Sequence, residues 1–212
     1  MKRYDEIITG AEPVTAAELA KVLEITDPGQ TPFLTTLVKV ARQQVEAYCR
    51  IAIVQRTITM FMDRFPVEDH DKGWWDGVRE APISSIFAAV RKIEMPLPPL
   101  QSVTSVTTFD DSDVGTIFAA AGYFVDTASK RQQGRVVLRD GITWPIALRS
   151  ANAIQFVYVA GYADGSVPDD LKQAILGIGA YLFANRGDCG GDCVGKCGMA
   201  MLLESYIIRV PR

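Results

Sequence analysis

Apolar residues keep helical spacing at the two ends of this chain. Between about residues 53 and 165 they give way to short runs rich in β-branched and aromatic residues. That double change of pattern constrains the fold most, because it divides the chain into a helical block, a block of strands and a second helical block. The expected fold class is α+β, a helical bundle core carrying an antiparallel β-rich block. Three segments follow: N-terminal helices over 1–52, the β-rich block over 53–165, and C-terminal helices with a tail over 166–212.

Thr15, with Glu18 three residues later, spells a capping box, and Leu19, Val22 and Leu23 give the helix behind it an apolar face. Pro32 sits where a first-turn proline is tolerated. Leu34, Leu37, Val38, Ala41, Val45 and Tyr48 then recur at helical spacing. Cys49 falls on the same face as a small core residue. The opposite face carries Lys39, Arg42, Gln43 and Glu46, which reads as a solvated or subunit-facing side. Strands are expected over 55–63, 102–109, 123–126, 135–138 and 154–160, with Asp110-Asp111-Ser112-Asp113 as a turn. Residues 84–93 fit a short helix or another strand. Pro96, Pro98 and Pro99 keep the approach to Gln101 extended.

Pro168, Asp169 and Asp170 open a C-terminal helix, placing two carboxylates where the macrodipole favours negative charge. Leu171, Ala174, Ile175, Ile178 and Leu182 form its stripe. Gly177 and Gly179 each cost about 1 kcal/mol relative to alanine inside a helix, which close packing against another helix explains. A further helix is expected over 199–207.

With 48% hydrophobic and 22% charged residues the 212-residue chain has the means for a real core. A formal net charge of -3 provides no global basic footprint for gripping nucleic acid. The most apolar run, 174–184, is about half the ~20 residues of a membrane span, and residues 1–10 lack the apolar centre of a signal peptide. Assembly in the cytosol, with no membrane contact, is the expectation.

Cys189, Cys193 and Cys197 form C-x3-C-x3-C, a spacing that three thiolates of a zinc or iron–sulfur site would tolerate. A fourth ligand is missing, so a glycine-rich loop with incidental thiols is the simpler reading; a small metal- or redox-binding protein is the alternative. Residues 190–197 nearly spell a phosphate-binding loop, but a helix precedes them and Cys197 replaces the hydroxyl residue. Asp69-His70-Asp71 reads as a polar loop, and Asp110, Asp111 and Asp113 lack the closing Glu of a calcium loop. No nucleophile–base constellation is legible, so neither catalysis nor a cofactor or metal is expected. Trp74-Trp75 is unusual: either one ring covers the sheet while the other anchors a neighbouring protein, or both close over the β-block.

The order of short motifs carries a resemblance. Pro13-Val14-Thr15 opens a helix, and Val45-Glu46-Ala47-Tyr48 ends the next. Asp63-Arg64-Phe65-Pro66, then Leu97-Pro98-Pro99-Leu100-Gln101-Ser102-Val103 with Ser105-Val106, follow in turn. After them come Gly141-Ile142-Thr143-Trp144-Pro145, Val159-Ala160-Gly161-Tyr162, Val167-Pro168, and a C-terminal segment with Tyr206 and Val210. Over about residues 13–186 the chain resembles the head–tail connector (adaptor) proteins of tailed bacteriophages and gene transfer agents. It departs from the commoner pattern in the insert at 67–85 and in the Gly/Cys loop.

The resemblance implies a structural virion protein of the neck, assembled in the bacterial cytoplasm as a ring, usually twelvefold, beneath the portal protein. It implies further partners in the next tail component (a stopper or tail terminator) and in DNA passing through without sequence-specific binding. Within it, Tyr206, Ile207, Ile208, Arg209, Val210 and Arg212 are the expected portal-docking element. Lys39, Arg42 and Glu46, with Trp74 and Trp75, are the expected subunit or tail interface.

Overall fold

The computed structural model describes residues 2–65, 74–75, 78–79, 91–128, 133–186 and 193–208, with backbone alone at 2–4, 74–75 and 78–79. Its elements run β1 (Lys2–Ile8), α1 (Ala16–Val22), α2 (Thr31–Cys49), β2 (Arg56–Met62), β3 (Trp74–Trp75), β4 (Val78–Arg79), β5 (Lys92–Glu94), β6 (Leu100–Phe109), β7 (Gly115–Ile117), β8 (Tyr123–Asp126), β9 (Arg135–Leu138), β10 (Ile154–Ala160), α3 (Asp169–Ala184), α4 (Cys193–Lys196) and α5 (Ala200–Leu203). The fold is α+β, as the periodicity requires.

Two of the five expected strands differ from the observed ones by a residue or two at an end, and the other three match. The N-terminal segment departs from expectation: residues 1–52 are not helical throughout, because β1 pairs antiparallel with β2 from Lys2↔Met62 to Ile8↔Arg56. An edge strand exposed on both faces needs no apolar periodicity, so its sequence gave no strand signal. A five-stranded antiparallel sheet results, in the order β1-β2-β10-β6-β7. A three-stranded sheet, β5-β9-β8, packs on it, and β3 pairs with β4. Residues 84–91 lie largely outside the described region; its continuation, β5, is a strand.

Alternation along β2 and β10 explains the packing. Every second residue is buried, Ile58, Met60 and Met62 on one strand and Ile154, Phe156 and Tyr158 on the other. These meet Ile93, Val136 and Leu138 of the smaller sheet in one core. Phe65 and Trp144 stack there, 4.3 Å apart at 9°.

A second core lies among the helices, where Leu19, Leu34, Val38, Ala41 and Val45 pack on Leu171, Ile175 and Ile178. The Thr15/Glu18 capping box is formed, and Leu19 behind it is buried, whereas Val22 is exposed. A Cβ at Gly179 would stand 3.2 Å from Leu19, and one at Gly177 would stand 3.0 Å from Met199. Both glycines therefore sit at close approaches between helical segments. Leu182 is only half buried. The last expected helix is broken up: α5 holds four residues and passes into a 3-10 turn, Glu204–Tyr206.

Candidate assembly interface

The joint between helices and sheet is built from charge. Glu46 on α2 accepts from Arg42 Nη1 at 2.5 Å, one turn back on its own helix, and from Arg56 Nη2 at the start of β2. Its Oε1 also accepts the backbone N–H of Ile53 at 2.8 Å. Arg42 reaches on to Glu12 (2.9 Å) and Arg56 to Glu6 (2.7 Å). Arg42 and Glu46 are 2% and 8% exposed.

This corrects the sequence-based placement: Arg42 and Glu46 do not lie on a solvated or neighbour-facing side of α2. Side chains four apart share a helix face, and the face they share is turned toward the chain exit at 51–56, where guanidiniums and carboxylates neutralise one another. Helical spacing alone does not distinguish a buried charged face from a solvated one. Lys39 and Gln43 are exposed as expected.

Motifs scattered along the chain converge on the same joint. Ala52 N–H donates to Pro98 O and Gly161 N–H to Pro99 O, each at 2.9 Å, while Tyr162 N–H donates to Ile53 O at 3.1 Å. Gln101 Nε2 donates to Gly161 O at 2.7 Å. Gly161 has φ +100°, and a Cβ there would collide with the Val54 carbonyl, so only glycine fits.

The C-terminal segment also departs from expectation. Tyr206 is 4% exposed, and its hydroxyl donates to Asp170 Oδ2 at 3.4 Å. Ile207 and Ile208 pack against the helical core, and Ile208 N–H donates to Cys49 O at 3.0 Å. Tyr206 is thus a core residue of its own chain and not a free docking side chain, because it is buried in the helical cluster with its hydroxyl on Asp170 of α3. Arg209, Val210 and Arg212 lie outside the described residues. So do the side chains of Trp74 and Trp75, whose backbone pairs with β4.

Among the described residues no reactive constellation accompanies these surfaces. Cys49 is buried, which pushes its thiol up to about 12. Cys197 Sγ sits 3.4 Å from Val194 O; Cys189, like His70, lies outside the described residues. Among the described residues no three His, Cys, Asp or Glu side chains gather as a metal site. A cleft of about 220 Å³ beside Glu12, Tyr162, Asp164 and Lys172 is smaller than ordinary ligand sites. Its charged groups are engaged: Glu12 with Arg42, Asp164 with Ala11 N–H, Lys172 with Asp169. Asp110 folds its own turn, accepting from Ser112 and Val114 N–H at 2.9 Å. No helix is long and apolar enough to cross a membrane among the described residues.

Exposed apolar side chains lie on edge strands, on helices and in loops, Ile146 of a loop being 96% exposed. Ile7 (68%) and Ile117 (71%) are on the two edge strands; Phe33, Met201 and Leu202 are on the helices. Arg186 stacks its guanidinium over Phe183 and Phe33, with centroids at 4.1 and 5.2 Å.

No protein-family model and no curated protein matches the chain. Solved structures do. A chain in the neck of an empty gene transfer agent (GTA) particle, computed with C6 symmetry, superposes with a TM-score of 0.71 at 21% identity, covering 99% of this chain and 97% of that one. The fold is that of a gene transfer agent neck chain. A chain in the virion of a native gene transfer agent particle superposes at 0.70, with 19% identity and coverage of 98% and 97%. A third, from the neck of a native particle computed with C12 symmetry, gives 0.63 at 20% identity and the same coverage. The match spans this chain nearly end to end.

Proposed function

We propose that this chain is a structural component of the neck of a phage-like particle, a head–tail connector and not a catalyst. Copies form a ring beneath the portal, extend the DNA channel and offer a surface to the next tail component. The observation that carries the reading is the two-way coverage of 99% and 97% with a neck chain. The C6 and C12 symmetries of the neck structures support a ring. In this reading the helical core around Leu34 and Ile175 is the scaffold of the ring, and the β-block elaborates it.

The chemistry fits a mechanical part. The polar groups of the cleft and the joint hold their own chain together, which suits a protein whose work is to keep shape under load. A net charge of -3 suits a conduit, since a strongly basic bore would retain phosphates and slow the passage of DNA.

Docking to the portal is assigned to residues 209–212, beyond the packed Tyr206–Ile208 stretch, with Arg209 and Arg212 supplying charge and Val210 an apolar anchor. Truncation after Ile208 tests it. The shortened chain is expected to fold with an unchanged melting temperature, yet to lose co-sedimentation with portal and leave heads without tails. Normal tailed particles from the truncated chain would overturn the docking assignment.

A further inference from the structure

We propose that neighbouring copies join edge to edge in the ring, the outer edge of β1 of one copy pairing antiparallel with the outer edge of β6 of the next. The proposal rests on the ring reading above and specifies its seam.

Among the described residues both edges are open. Strand β1 is the first of its sheet, and Asp5, Glu6, Ile7 and Ile8 are all exposed. Ile7 and Ile8 point to opposite faces, 68% and 49% exposed, so among the described residues neither face of this strand end is covered. Apart from its ladder to β2, the strand is held by the Glu6–Arg56 ion pair. An uncovered edge strand with two isoleucines is a template for another strand. At the far side of the sheet, β6 is ten residues long, but β7 pairs only with its end, Thr107 to Phe109. One more bond, Phe118 N–H to Val106 O at 2.8 Å, extends that contact. Over residues 100–105 no described strand lies on the outer side of β6.

Register and direction bring the two open edges together. Following Ile8↔Arg56, Arg56↔Ala160 and Ala160↔Leu100 across the sheet, the isoleucine end of β1 lies level with Leu100. The other end, Lys2, follows Met62 and Ile154 to Thr108, where β7 sits. A copy set beside its neighbour without axial slip therefore presents Ile7 and Ile8 to the stretch of β6 that β7 leaves open.

Every pair in this sheet is antiparallel, so β1 runs opposite to β6 within one copy. A ring rotation that carries one sheet alongside the next keeps strand direction, so the new pair is antiparallel too. Two different edges of one subunit make the heterologous contact that closes a ring. Irregularities in β6 opposite Val157/Tyr158 and Val159/Ala160 bend and twist this stretch, which turns the path between copies and restricts which strand fits.

Cross-linking in assembled rings tests the seam. In a chain with Cys189, Cys193 and Cys197 changed to serine, Ile7→Cys is combined with Gln101→Cys, assembled with portal, and treated with a short bis-maleimide. The expected result is a ladder of covalent multimers running up to the copy number of the ring, at least about tenfold stronger than with chains carrying either introduced cysteine alone, the buried Cys49 being common to all. Intact rings with no ladder beyond the single-cysteine controls would overturn the seam while leaving the ring reading standing. Bonds to portal subunits in place of a ladder would overturn it in favour of a portal contact. Failure of the parent chain itself to form rings would overturn both.

Ile7→Lys gives an independent check, since this exposed side chain has no role in the monomer's core. Its melting curve is expected to match the parent chain while ring yield falls about tenfold or more. An unchanged yield contradicts the seam.

Discussion

At the scale of single residues, the account turns on Glu46. Its carboxylate is shared by two buried guanidiniums, those of Arg42 and Arg56. Removing it leaves each buried guanidinium with only its outer carboxylate, Glu12 or Glu6, and takes away the acceptor of the Ile53 N–H. Glu46→Ala is therefore expected to destabilise the chain by about 3–5 kcal/mol, read as a fall in the urea midpoint, while Lys39→Ala at the exposed neighbouring position changes it by less than about 0.5 kcal/mol.

Glu18 makes a milder, pH-dependent prediction. The Thr15 backbone N–H and then its hydroxyl hold the Glu18 carboxyl below its usual value of 4.5. A depressed carboxyl stabilises the fold above the unfolded value and loses that contribution as pH falls through the folded one. Glu18→Gln should thus cost about 0.5–1 kcal/mol at pH 7, the low end because the site is exposed. The difference from wild type should close as pH falls below 4.5. Sequence made Glu18 legible, because a capping box is local. It misplaced Arg42 and Glu46, because their partners Arg56, Glu12 and Glu6 are brought in by the tertiary fold. Tyr206 was misplaced for the same reason, its pocket beside α3 being made by residues far away in the chain.

At the scale of elements, periodicity served where an element has one buried face. β2 and β10 alternate strictly, and both long helices carry a continuous stripe. It did not reveal β1, whose described side chains, Asp5 to Ile8, are all exposed, nor β5 and β7, each three residues long and held by backbone pairing. Gly177 and Gly179 were readable as close approaches, and the structure names what approaches them. The two sites should respond differently to added bulk. At Gly179 a side chain meets the packed Leu19 of α1, so Gly179→Val is expected to cost about 1–3 kcal/mol by overpacking. At Gly177 the neighbour is the flexible Met199 side chain, which can swing aside. Gly177→Ala should therefore shift the thermal midpoint little in either direction, because the helix propensity gained offsets the displacement.

At the scale of the whole molecule, the resemblance in the sequence rested on motifs that prove to be joints. Phe65 stacks on Trp144, Pro98 and Pro99 receive the chain leaving α2 and β10, and Gly161 lets two backbones touch. These contacts are set by the fold itself, which is why short motifs of the sequence point to it. Surfaces are less legible, since a docking residue has no intramolecular pattern to announce it.

The central claim is that the molecule works by position, as one copy in a ring at the neck. Symmetry-averaged electron cryomicroscopy of particles from cells that encode the chain tests this most directly. The account predicts density for multiple copies around the particle axis, between portal and tail, into which the two sheets and the α2–α3 pair fit. Intact particles whose neck density has no place for this fold would contradict it.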